Sequence, residues 1–93
     1  MDGLTPGRIV HYVMPDGHHR PAVVLHVWGE TGCSNLMVLT DGSNDLPYTP
    51  DEKLAFQNFG MVADEVRHGH VWKTSILYSE QPVPGTWHWI EKA

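Results

Sequence analysis

Seven histidines and eleven carboxylates in 93 residues are the chain's most versatile chemical groups. His68-x-His70 puts two imidazoles on one face of an extended segment, because strand side chains alternate with period two, and that spacing suits a metal pair. A third ligand would have to arrive through folding, from His88 or from the adjacent His18 and His19. The sequence itself displays no complete metal set, and solvated loop histidines are the expectation. Asp41-Gly42-Ser43-Asn44-Asp45 lacks the alternating oxygen donors and distal glutamate of a calcium loop, so it reads as a hydrogen-bonded turn. Its Asn44 and Asp45 can nevertheless offer an amide and a carboxylate to a ligand. Cys33 is the sole cysteine, which excludes an intramolecular disulfide and a cysteine-based zinc ribbon. With no GxGxxG, GxxxxGK or GxSxG, the chain offers neither a phosphate loop nor a nucleophile elbow. No catalytic residue and no cofactor is expected.

A second constellation is aromatic and cationic. Trp87-His88-Trp89 places two indoles on one face of a strand and the imidazole on the other. Such indoles can complete a core, close a subunit interface or sandwich a purine, where stacking contributes roughly 1 to 3 kcal/mol per base. Core or interface use is the favoured reading for Trp87 and Trp89. The ligand alternative builds an aromatic wall from Trp72, Tyr78 and Trp87. Arg20, Arg67, Lys73, Thr74 and Ser75 are then available to phosphates, with Asn44 and Asp45 for base or ribose edges.

The elements that must position these groups read as strands. Arg8 to Met14 is β-branched and aromatic, and Pro15-Asp16-Gly17 is turn chemistry. Ala22 to Trp28 is apolar on both faces and reads as a central strand; Leu36 to Thr40 follows after the Gly29–Gly32 turn. From Ser43 to Gly69 the pattern weakens into a long excursion, in which Asp51 to Phe56 can form one short helix capped by Thr49 or Asp51 with Pro50 near its start. Strands resume at His70–Tyr78 and end at Thr86–Ile90. Five antiparallel strands of this length bury most surface as a curled, closed or nearly closed SH3-like small β-barrel, an all-β single domain over residues 1–93.

Six basic against eleven acidic residues give a net charge of −5, which argues against a protein held to a nucleic-acid polymer by phosphate neutralisation. No apolar run is long enough for a membrane span, and the opening residues lack the basic and apolar regions of a secretory signal. Together with the single cysteine, this points to a cytoplasmic setting. A domain this small gains burial by associating, and four tryptophans make a homo-oligomer the expected state.

The opening Pro6-Gly7-Arg8-Ile9-Val10, with Gly17 and Arg20-Pro21-Ala22-Val23-Val24-Leu25, resembles the first hairpin of SH3-like barrels, including toxin ribonucleases of the MazF type. The acidic balance argues against that nuclease activity. A more extended likeness rests on Asp41-Gly42-Ser43-Asn44-Asp45, Trp72-Lys73-Thr74-Ser75, Tyr78-Ser79-Glu80 and Pro84-Gly85-Thr86-Trp87-His88-Trp89. These segments resemble small tailed-phage accessory proteins of unassigned role. That resemblance implies a phage accessory product in the host bacterial cytoplasm and names no ligand; small phage proteins include oligomeric sponges for nucleotide immune signals, and with the ligand-site reading above the expected function is a counter-defence binding protein that sequesters a nucleotide-type immune signal. The alternative is a protein-interaction module for a host defence enzyme or a virion component. A metal-assisted phosphodiesterase using the histidines is the enzymatic third reading.

Overall fold

A computed structural model describes residues 1–91 of the chain. Five strands, β1 (Ile9–Val13), β2 (His19–Trp28), β3 (Cys33–Leu39), β4 (His70–Ile76) and β5 (Trp87–His88), form one sheet in the order β4-β3-β2-β1-β5 with every ladder antiparallel. The central position of β2 agrees with its apolar character on both faces. No described helix is long and apolar enough to cross a membrane.

The five antiparallel strands are those of the expected closed or nearly closed barrel, but the sheet is open and completes no ring. β5 pairs with β1 through only two residues, and the continuation of β4 reaches β5 through a single bridge, Tyr78 to Trp87. The reason lies in the edge strand. Asn35 Oδ1 accepts from the Ser75 N–H and the Thr74 hydroxyl at 2.9 Å each, the β3–β4 register shifts between Ser34 and Leu36, and Ser75 takes a positive φ of 55°. A strand bent in this way stops pairing before it can close a ring.

The Ser43–Gly69 excursion holds two helices rather than the single one expected. α1 (Pro50–Asn58) starts where Thr49 Oγ1 accepts the Glu52 N–H and Glu52 Oε1 accepts the Thr49 N–H, a reciprocal cap with Pro50 in the first turn. α2 (Ala63–Arg67) has no side-chain cap, so nothing local announces it. Tertiary contacts hold it: Val66 is buried, its carbonyl accepts from Thr40 Oγ1 at 2.8 Å, and Gly42 lies against Arg67 so closely that a Cβ there would sit 2.4 Å from the carbonyl oxygen.

The core lies between one face of the sheet and these helices. Val10, Tyr12, Val24, Leu36, Val38 and Val71 meet Phe56 of α1 and Val66 of α2, and Trp87 closes the end. Trp87 is fully buried, packs against Tyr78 with ring centroids 5.0 Å apart and the planes tilted by 57°, and donates its indole N–H to the Gly32 carbonyl at 2.7 Å. Of the core or interface uses favoured for it, Trp87 takes the core. Trp87→Ala is expected to lower unfolding free energy by about 3 to 5 kcal/mol, read from urea denaturation against wild type. A loss under about 1 kcal/mol would remove Trp87 from the core.

Candidate functional site

Cross-strand register decides what the sheet shows on either side. Val10, Ala22, Val38 and Val71 stand opposite one another across β1 to β4, and all are buried. One residue along, Ile9, Val23, Met37 and Trp72 form the next row on the opposite face. That row is apolar across four strands, yet Ile9 is 40% and Trp72 55% exposed, and no described element covers it. In the flanking row His11 faces Pro21, and Leu39 faces His70. Neither row contains a Lys, Arg, Asp or Glu, so the chain's net acidity resides elsewhere.

No family model, curated protein or solved structure matches the chain. The site has to be read from its own geometry.

That geometry scatters the residues of the expected aromatic wall. Trp87 lies in the core with Tyr78 against it, whereas register puts Trp72 on the outer face. Thr74 and Ser75 are bonded to Asn35 and to each other. Trp72, Lys73 and Thr74 do border a groove of about 460 Å³ that also touches Tyr12, Phe59 and Ile76. Lys73 is spent there on fold: its Nζ donates to the Phe59 carbonyl at 2.6 Å, at the C-terminal end of α1. Desolvation holds its pKa below the ordinary lysine value against the pull of Glu65.

The cations expected on phosphates are paired as well. Arg67 donates to Asp64 at 3.0 Å on the surface. Arg20 donates through Nε and Nη2 to Asp45, whose carboxylate is fully buried and also accepts the Asp41 N–H at 2.6 Å. The hydrogen bond to Asp45 raises the Arg20 pKa further above its usual value, with desolvation opposing. Asp45 is therefore an anchor for the 41–45 turn. Asn44 belongs to the same turn and donates to Asp41.

Histidines gather where the sequence did not place them. His68 follows α2 and His70 opens β4, with Gly69 at φ 95° between them, so the strand alternation that a metal pair there would need is broken. His11, His19 and His88 instead converge with Glu91 at the β5 corner of the outer face. Desolvation pushes the Glu91 pKa up, but its own backbone N–H and the His88, His11 and His19 imidazoles outweigh this and hold it at about 2. No local spacing joins positions 11, 19, 88 and 91. The available clue was parity within strands, which sets His11 and His88 opposite their buried neighbours Tyr12 and Trp87.

The 41–45 turn carries a pH dependence of its own. Asp41 is held at about 2, first by the Ser43 N–H and hydroxyl and then by the Asn44 N–H, with slight desolvation opposing. A carboxyl with a depressed folded pKa stabilises fully above its unfolded value, about 3.9, and loses that contribution as pH falls through about 2. Asp41→Asn is expected to melt below wild type at neutral pH, with the two melting curves converging between about pH 4 and pH 2. A gap that persists at low pH would assign the effect to shape rather than charge.

Proposed function

We propose that this protein is a non-enzymatic interaction module that works through the outer face of its sheet, and that the surface it meets there is a second copy of the same face. The observation carrying the reading is the uncovered row Ile9, Val23, Met37 and Trp72. An apolar row spanning four strands is what a sheet buries when it stacks on another sheet about 10 Å away. Trp72 supplies the large aromatic that anchors such contacts.

Two features favour a second copy. The face is self-complementary under a two-fold axis, because apolar side chains meet apolar side chains whichever strand they come from. Its apolar row and the flanking row carry no acidic group in a chain of net charge −5, and the carboxylate at the corner, Glu91, lies among histidines, so the rows of two copies meet without placing like charges in contact. The face is small, which places the contact near the lower bound of stable interfaces, about 1,200 Å² in total, and the dimer in the micromolar class. Nucleotide sequestration draws less support, since its cations are paired and its indoles separated by the sheet.

Sedimentation equilibrium over the micromolar range tests this directly. Wild type is expected to be dimeric at the upper end. Trp72→Glu and Met37→Glu should weaken association by about 30-fold or more while leaving the melting temperature of the monomer intact. A wild-type chain that remains monomeric at millimolar concentration would overturn the reading.

A further inference from the structure

Three strands aim an imidazole at one point. His11 of β1 and His88 of β5 are directly paired, and His19 of β2 pairs with Val13, two residues along β1 from His11, so all three side chains leave the same face. Their ring centroids are 4.7 to 6.2 Å apart in edge-on arrangements. Glu91, just beyond β5, reaches back into the middle. Its Oε2 lies 2.5 Å from His11 Nδ1, and its Oε1 lies 2.6 Å from His19 Nδ1 and in contact with His88 Nε2. Four potential ligand atoms, three nitrogens and one carboxylate oxygen, all fall within 4.8 Å of one another.

We propose that His11, His19, His88 and Glu91 form a four-coordinate site for a divalent cation of the zinc class. Bonds of about 2.0 to 2.2 Å put tetrahedral ligands roughly 3.3 Å apart, so side-chain torsions alone can take these atoms to coordination distance while the strands stay in place. The donor set selects the ion. Three imidazoles to one carboxylate suit zinc and its first-row neighbours, whereas calcium and magnesium demand oxygen shells.

Charge and hydrogen bonding point the same way. Among the described residues the ion-pair partners of Glu91 are His11, His19 and His88, and none is a Lys or Arg. A divalent cation at the centre neutralises the carboxylate and takes one lone pair from each imidazole. His88 is buried, with Nε2 turned to Glu91 and Nδ1 without a partner in the protein. Coordination would engage Nε2, the nitrogen that already faces the cluster, and would leave Nδ1 as it is. The competing cluster of Asp16, His18 and Asp45 is different, because Asp45 is already committed to Arg20.

Four protein ligands close a tetrahedron, which is the form of a site that holds structure and keeps no position for substrate. Here the ion ties β5 and the segment after it to β1 and β2. β5 pairs with β1 through two residues and with β2 not at all, so the metal adds a restraint on the C-terminal end beyond the burial of Trp87.

The test uses the full chain stripped of metal with a chelator and titrated with Zn²⁺ alone against a chromophoric competitor, then with Co²⁺ followed by visible absorption. One equivalent should bind, the Co²⁺ adduct should show the intense bands of tetrahedral coordination, and the melting temperature should rise on loading. His19→Gln and Glu91→Gln, at partly exposed positions, should each weaken binding by 100-fold or more. His70→Gln, on the same face but outside the cluster, should bind as wild type does. The proposal is overturned if no stoichiometric ion binds, if the two cluster variants retain wild-type affinity, or if Co²⁺ gives the weak absorption of a six-coordinate aqua complex.

Discussion

Register between β1 and β2 is the constraint on which everything else in this fold depends. It fixes Val10 against Ala22 on the buried face and Ile9 against Val23 on the open one, and it brings His19 diagonal to His11. Because strand side chains repeat every two residues, a slip of one would send the apolar core row into solvent and bury the imidazoles. The hairpin turn limits that slip: Gly17 accepts a φ of 90°, its N–H donates to the Met14 carbonyl, and the Met14 N–H donates to the His18 carbonyl. Arg20 adds a second pin. Its guanidinium leaves β2 toward the core side, opposite to its neighbour His19, and grips the buried Asp45.

That ion pair shows how a small core accommodates a charge. Asp45 is fully desolvated, a costly state for a lone carboxylate, and it survives because a bidentate guanidinium and a backbone N–H together supply its hydrogen bonds. In return the turn after β3 is tied to β2, and Gly42 is pressed against α2. The short second helix is thus a product of packing around a buried charge. Its own residues contribute little: Val62 caps it with no side-chain bond, and only Val66 points inward.

These two histories explain what the sequence disclosed. All five strands were legible from β-branched runs and from Gly and Pro punctuation, because each is a local pattern. α1 was legible too, since Thr49, Pro50 and Glu52 spell a cap within four residues. α2 was not, because its stabilising partners sit at Thr40 and Gly42. The open edge at β4 was equally hidden, as it depends on the Asn35 amide of another strand accepting from Thr74 and Ser75. The same divide runs through the candidate sites. Local spacing nominated His68 and His70, which a positive-φ glycine separates, while the imidazoles that meet come from both ends of the chain. Arg20 and Asp45 were expected to meet a ligand, at phosphate and at base or ribose edges; in the fold each is the other's partner.

The β1–β5 pairing joins His11 to His88 and Tyr12 to Trp87, and His11 also meets Glu91, 80 residues away, nearly the full length of the chain. Closing so long a loop costs conformational entropy that grows with the logarithm of its length, whereas the β1–β2 and β2–β3 hairpins close over short turns. The β1–β2 and β2–β3 pairings can therefore form ahead of the β1–β5 pairing, and seating of Trp87 between β1 and the nearby Leu77–Ser79 segment is expected to come late in folding. φ-values near zero at Trp87 would be its signature, against higher values around the β1–β2 turn. The same indole that completes the native core would then leave an apolar slot beside Gly32 and Tyr78 open through most of the folding reaction, making the last strand the kinetic gate to the native state.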